Sequence, residues 1–425
     1  MTAPAAGPLA GLRVLEIASM APAPFACTLL ADLGAEVLRV DRAADVDPAV
    51  STSADLLARG RRSLAADLKH PDGAALVRRL AARADVLVEG FRPGVAERLG
   101  IGPEDCRAAN PRLVYGRMTG WGQHGPLAPR AGHDITYLAV SGALGLMGPP
   151  DRPPVPPVNL VADFGGGGML LAVGILAALY ERERSGRGQV VDAAMVDGAA
   201  LLTTALHGLH AAGGWAGGRG ENLLDGGAPF YRTYETADGG YMAVGALEER
   251  FYDQLLTGLG LRGEPDLPAQ YDRERWPELE QRLARAFGTR TRAEWTAVFA
   301  STDACVAPVL SPWEADRHPH NAARAAFTET GGVRQPAAAP RFGRTPGAVQ
   351  GPPPVPGQHS RAALADWGVD EDESARLLAA SAVVQHPAGQ PRKDRACDDR
   401  SRDDRSRDDR DRDGRPRIRA KEHTP

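Results

Sequence analysis

The sequence predicts an α/β protein, with a large domain on a parallel sheet covered by helices and a smaller α+β domain beside it. Three observations lead there. Short apolar strands alternate with helical stretches through residues 1–200; a hairpin signature and further helices follow over 225–305; and a Pro-rich run over 306–350 reads as the chain returning to the large domain. A chain of 425 residues can bury more than one core.

The elements follow in order. Residues 12–17 (LRVLEI) are a short apolar strand, 22–33 a helix ended by Gly34, and 36–40 a second strand closed by Asp41 and Arg42. Helical spacing returns over 72–84, then strands over 85–89 (DVLVE) and 112–118 (RLVYGRM). Strand–helix–strand alternation of this kind favours a doubly wound sheet, with ligand sites beyond the strand ends. Residues 164–184 read as a buried helix opened by four glycines; its apolar stretch of about a dozen residues falls short of the ~20 that a membrane span needs. A strand over 189–194 completes this half. In the middle region, Asp238-Gly239-Gly240 between two β-rich runs predicts a hairpin, and 248–261 and 276–299 predict helices, the latter in two pieces.

Composition narrows the function. With 43% apolar and 24% charged residues and a net charge of −4, the chain reads as soluble, with neither nucleic acid nor membrane as a partner. Cys27, Cys106, Cys305 and Cys397 are scattered and form no CxxC, which predicts reduced thiols in a cytoplasmic protein without a zinc site. The N-terminus has neither the basic start nor the apolar core of a signal peptide. The character changes at about residue 387; residues 392–419 repeat Arg and Asp with almost no apolar side chain, and 387–425 read as a disordered tail.

Several motifs could carry chemistry. Gly132-His133-Asp134-Ile135-Thr136-Tyr137 places a His and an Asp after a Gly-rich loop, and Asp163 precedes Gly165–Gly168 and an apolar helix. The plainer reading of Asp163 is a helix cap. The functional one lets a ligand approach the Gly backbone, with helix N-terminal amides facing a developing oxyanion. No GxxxxGK[ST] or GxSxG pattern is present, and no GxGxxG stands between the first strand and the first helix, which argues against a P-loop enzyme, a serine hydrolase and a nicotinamide dehydrogenase. His207 and His210 read as packing or surface residues. Arg39, Arg42, Arg59, Arg61, Arg62, Lys69, Arg92 and Arg98 crowd the first hundred residues; several fall near strand ends, where a nucleotide phosphate could dock.

Taken together, GLRVLEIA, ADLGAEVLRVDR, ADVLVEGFRPGVAERLG, RMTGWGQHGP, AGHDITY, NLVADFGGGG, GQVVDAAMVDG and LDGGAPFYRTYETADGGYMAVGALEERFY resemble the family III CoA-transferase superfamily, and within it most of all the racemase branch that acts on 2-methylacyl-CoA thioesters. The resemblance runs over about residues 9–345. It implies a Rossmann-like large domain built from both chain ends, a smaller middle domain, and an interlocked homodimer with its active site between the large domain of one subunit and the small domain of the other. It implies His133 and Asp163 as opposed acid–base groups and Glu248 as the partner that holds a buried His133 in the right tautomer. CoA contacts would fall on Arg42, on Ala66, Asp67, Leu68 and Lys69, on Gly90, Phe91, Arg92, Pro93 and Gly94, on Arg98, and on Gly132, Asp134, Ile135, Thr136 and Tyr137. The reaction would invert the stereocentre alpha to the thioester through an enolate, with no cofactor beyond the CoA of the substrate. In the transferase branch, the Asp matching Asp163 is instead a nucleophile that carries the acyl group between acids; a non-catalytic acyl-CoA binder is a third reading, and the intact acid–base residues argue against it. The tail has no counterpart in the resemblance, and Arg61-Arg62 is more basic than in some members.

Overall fold

The computed structural model describes residues 7–215 and 217–387. Its strands are β1 (Arg13–Ile17), β2 (Glu36–Arg42), β3 (Arg61–Ala66), β4 (Val86–Glu89), β5 (Val114–Thr119), β6 (Val190–Ala194), β7 (Tyr231–Glu235), β8 (Tyr241–Gly245), β9 (Val306–Pro308), β10 (Phe327–Thr330), β11 (Val333–Pro336) and β12 (Val383–Val384). The main sheet has the order β12-β3-β2-β1-β4-β5-β6, parallel throughout except for β12, which runs antiparallel to β3.

Both faces of this sheet are covered, and the period of two in the strands decides what each face buries. Val14, Val37, Val86, Val88 and Val114 meet the helices Pro22–Asp32 and Leu170–Ser185 through Ala26, Leu30, Leu171 and Ile175. Their neighbours Leu15, Leu38, Leu64, Leu87 and Tyr115 meet the helix Pro71–Ala81 and the C-terminal helices through Leu76, Leu80, Leu364 and Trp367. Each fully buried Leu or Val contributes roughly 1.5–3 kcal/mol over an exposed one, so a one-residue slip would forfeit both cores at once. A third core lies over the antiparallel sheet β7-β8-β9, where Phe230, Tyr234, Leu283, Phe287 and Trp295 pack together. The Asp238-Gly239-Gly240 turn joins β7 to β8 as predicted, with Gly239 at φ 74°. The helical stretch 276–299 divides into Trp276–Phe287 and Arg292–Phe299, the second opened by a Thr291–Glu294 capping box.

Several expectations are corrected. Asp41 and Arg42 do not close β2 but belong to it. Strand β3 escaped the sequence reading because it begins with Arg61 and Arg62, taken there as solvated or phosphate-binding. Arg61 is in fact fully buried, donating to Glu16 at 3.0 Å and to the carbonyl of Arg59 at 2.9 Å. The C-terminal helices Ser360–Asp366 and Glu371–Ala379 and strand β12 also belong to the fold. The helix expected over 164–184 is one 26-residue helical run, Leu160–Ser185, long and apolar enough by length and composition to cross a membrane. Its first ten residues, Leu160–Met169, are π-helical. Leu171, Ile175 and Leu179 lie in the core, yet Met169, Val173 and Tyr180 on the same run are exposed, so it is not the fully buried helix predicted. From residue 388 on, the Arg/Asp-rich tail lies outside the described residues.

Candidate active site

The order of the main sheet reverses at β1, with β2 on one side and β4 on the other. In an open parallel sheet the crevice beyond the carboxyl ends at such a switch point is where ligands fit. A cavity of about 290 Å³ opens there. Its walls come from the segments after β1 (Met20, Ala21, Pro22), β4 (Gly90, Phe91, Arg92, Pro93), β5 (Gly120, Trp121) and β6 (Met195), together with Arg130, Gly132, His133, Tyr137 and Asp163. A larger cavity of about 1030 Å³ beside β7 and β8, lined in part by Glu221, Asp225, Arg232 and Cys305, holds neither His133 nor Asp163.

His133 occupies the N-cap of the helix Asp134–Ser141. Its main chain is fixed by Thr136, whose Oγ1 accepts from the His133 N–H at 3.0 Å and donates to the His133 carbonyl at 2.7 Å. Among the described residues no hydrogen bond engages the imidazole, and within the single chain the residue is exposed. Asp134 turns inward. It is 6% exposed, and its Oδ1 accepts the amides of Ala162 at 2.9 Å and Asp163 at 2.8 Å. Its carboxylate thus faces the protein.

Asp163 is not a cap. Asn159 holds the N-cap position, and Asp163 lies within the first turn of the π-helical segment, half-buried, accepting from Asn159 Nδ2 at 3.3 Å. Burial raises its carboxyl above the ordinary range; Asn159 pulls it down, the nearby Asp134 carboxylate pushes it up, and His133 pulls it down. Burial likewise pushes the Tyr137 hydroxyl up to about 12, with Asp163 adding to the effect and Arg92 opposing it. Asp163, His133, Tyr137 and Arg92 thus share one electrostatic environment.

The raised carboxyl has a consequence for stability. With its folded pKa above the unfolded one, Asp163 binds more protons in the folded chain between those two values, so stability falls as pH rises through that window. Asp163→Asn, which carries no charge, is therefore expected to raise Tm by roughly 2 °C at neutral pH, with the gain shrinking as pH falls to the ordinary carboxylate range. Calorimetry at both ends of the window checks this; a variant less stable than the parent at neutral pH contradicts it.

The glycines after Asp163 do not open the backbone to a ligand. A Cβ on Gly166 would meet the Ala199 amide at 2.7 Å, one on Gly167 the Met195 side chain at 2.9 Å, and one on Gly168 the Phe25 ring at 2.7 Å. They allow the π-helical backbone to touch its neighbours. The amides expected to face an oxyanion are the ones held by Asp134. The main-chain amides of Asp134 and Ile135, in the first turn of the helix after His133, have no hydrogen-bond partner among the described residues.

The basic residues divide cleanly. Arg39 pairs with Asp41 at 2.8 Å and Arg59 with Asp32 at 2.5 Å; Arg61 pairs with Glu16, and Arg62 with Asp366 at 2.8 Å. These four are committed to the fold and not to a phosphate. Arg42, Lys69, Arg92 and Arg98 are exposed and carry no ion pair among the described residues. Arg42 and Ala66 end adjacent strands and pair in register, so they, with Asp67, Leu68 and Lys69, follow the same carboxyl edge as the cavity without lining it. Gly94 borders a neighbouring cleft that shares Pro93 with the cavity. Ile135 and Thr136 are exposed, the latter occupied by its capping bonds. Glu248 is exposed at the N-cap of the helix Glu249–Leu259 and lies near Cys305. Within one chain it does not line the cavity, and no hydrogen bond joins it to His133.

Sequence reasoning missed Met20, Trp121, Arg130 and Met195 as cavity residues. Trp121 stacks edge-on against Tyr137 at 4.8 Å between ring centroids. The signal available for three of them was position, since Met20, Trp121 and Met195 fall within three residues of the ends of β1, β5 and β6; Arg130, in the loop before His133, gave none.

The family model described as CoA-transferase family III matches residues 9–360. The chain is 49% identical to the alpha-methylacyl-CoA racemase of Mus musculus and 46% identical to that of Homo sapiens, each over 371 residues that cover 87% of this chain and 96% of the relative. Among solved structures, a CAIB/BAIF family protein from Brucella suis superposes with a TM-score of 0.74 at 28% identity, covering 85% of this chain and all of that one.

Proposed function

The chain belongs to CoA-transferase family III, and from that membership we propose that it interconverts the (R) and (S) forms of 2-methylacyl-CoA thioesters by moving the proton alpha to the thioester carbonyl. One observation carries the reading: His133, with a free imidazole, and Asp163, with a raised carboxyl, line one cavity at the switch point of the sheet.

The chemistry needs a base on one face of the α-carbon and an acid on the other. The base takes the α-proton, and the C–H electron pair moves onto the thioester oxygen as an enolate. The acid then gives its proton to the opposite face, and the configuration inverts. A carboxyl raised towards neutrality can serve in either direction. The unbonded amides of Asp134 and Ile135, at the positive end of a helix dipole, suit the enolate oxygen. The unpaired Arg42, Lys69, Arg92 and Arg98 suit the phosphates of CoA. Glu248 would reach His133 from a second copy of the chain, which the exposure of His133, Glu248 and the apolar residues Met169, Val173 and Tyr180 supports.

In deuterated buffer, a single-configuration 2-methylacyl-CoA is expected to gain one deuterium at the α-carbon and lose optical purity, with no acceptor acid present, as read by mass spectrometry and chiral chromatography. Transfer of CoA to an added free acid without α-exchange would overturn the reading in favour of Asp163 as an acyl-carrying nucleophile.

A further inference from the structure

We propose that the Asp134 side chain is a positioning residue for the acid–base pair: by clamping the amides of Ala162 and Asp163, it fixes the separation between the Asp163 carboxyl and the neighbouring His133. This rests on the racemase reading for its catalytic meaning. The geometry behind it is compact. Asp134 is 6% exposed, and its Oδ1 accepts both amides. It adjoins His133, whose own N–H is tied to Thr136. One dipeptide therefore carries one reactive side chain and grips the backbone of the other, across 28 and 29 residues of sequence.

The clamp also brings charge. Asp134 Oδ2 is buried without a hydrogen-bond partner, an arrangement that is costly for a carboxylate and calls for an explanation. Asp163 feels it: the Asp134 charge adds to burial in raising the Asp163 carboxyl. The other groups facing Asp163 are His133 and Tyr137 beside Asp134, Arg92 after β4, Arg130 in the loop before His133, and Asn159 on its own segment. The helix Met195–Leu201 brings Met195 to the cavity while its Asp197 is exposed, and the helix Pro22–Asp32 packs Pro22 and Phe25 against the glycines, neither of which titrates. Asp134 is thus the carboxylate placed to keep a proton on Asp163.

Two substitutions separate grip from charge. Asp134→Asn keeps an oxygen for both amides and removes the charge; Asp134→Ala removes both. For Asp134→Asn, the Asp163 titration, followed by carboxyl NMR on aspartate-labelled protein and assigned with Asp163→Asn, is expected to move roughly one unit to lower pH. The matching limb of the kcat profile for α-exchange should follow, with KM within about threefold. For Asp134→Ala, kcat is expected to fall on the order of 10²-fold at nearly unchanged KM. An unshifted Asp163 titration in Asp134→Asn overturns the proposal, as does kcat within about threefold of the parent in Asp134→Ala. Should Asp134→Ala not fold, Asp134→Glu, whose extra methylene moves the carboxylate off both amides while keeping the charge, is expected to lower kcat on the order of 10-fold or more at nearly unchanged KM, and kcat within about threefold of the parent there overturns the proposal. The titration uses no substrate: a shift there with no exchange by the parent enzyme upholds the role of Asp134 and sinks the racemase reading, not the reverse.

Discussion

Asp163→Ala and His133→Ala are each expected to lower the racemisation of a single-configuration 2-methylacyl-CoA by 10³-fold or more, while binding of a CoA thioester persists. The magnitude follows from the reaction. Positioned acid–base groups typically contribute 10²–10⁴-fold each, and racemisation needs both, because exchange on one face alone returns the starting configuration. The two variants should also resemble each other and their double mutant, since groups that act as a unit are not additive. Binding should survive because neither side chain holds the surrounding structure. The imidazole of His133 makes no hydrogen bond among the described residues, and the Asp163 side chain makes one, to Asn159. Of the unpaired cations that suit CoA, Arg42, Lys69 and Arg98 lie outside the cavity, and Arg92 in its wall makes no ion pair with either side chain. The measurement is the racemisation rate, followed by chiral chromatography, beside a CoA-thioester Kd for each variant. Turnover within tenfold of the parent in either variant would remove that residue from the mechanism.

The division between what the sequence tells and what it hides is physical. LRVLEI, EVLRV and DVLVE were legible as central parallel strands because both faces of each are buried, so apolar residues run on with few interruptions. Strand β3 was hidden by the same rule applied in reverse. Arg61 looks solvated, but it is buried with Glu16, and a sequence read residue by residue has no way to pair positions 45 apart. The hairpin β7-β8 was legible because its turn chemistry is local; β12, which pairs with β3 from the far end of the chain, was not.

The site shows the same split. His133 and Asp163 were found through the resemblance, and the fold brings both to one cavity. Their immediate surroundings were misjudged. The Asp134 carboxylate faces the protein, its Oδ1 accepting the amides of Ala162 and Asp163 from 28 and 29 residues away, a pairing that no local pattern announces. Glu248 and His133 meet in no single chain described here, so that pairing belongs to the proposal of a second copy. The glycines were given to a ligand because a Gly run before a helix fits close approach to a phosphate as well as it fits close approach to another backbone; only the neighbour across the gap decides, and here the neighbours are Gly198, Met195 and Phe25.

That contact carries the second large expectation. Gly198→Ala should both destabilise the protein and lower its α-exchange on the order of 10²-fold. A Cβ at residue 198 would lie 1.8 Å from the Gly166 carbonyl oxygen and 2.5 Å from its carbon. Both are main-chain atoms of the π-helical segment, so no side chain can turn aside, and the whole segment has to move. Overpacking of this kind costs about 1–3 kcal/mol or more. The displaced stretch carries Asp163, and a shift of ~1 Å in a reacting group can cost 10²-fold in rate. The control is Gly208→Ala, within the helix Thr204–Ala211, where an added Cβ meets nothing within 4 Å. There the higher helix propensity of Ala should leave stability equal or improve it by up to about 1 kcal/mol. Urea midpoints of the two variants, read beside their exchange rates, make the comparison. A Gly198→Ala protein as stable and active as the Gly208→Ala one would mean that the π-helical segment is free to yield, and that the close backbone contact with the helix Met195–Leu201 does not hold Asp163 in place.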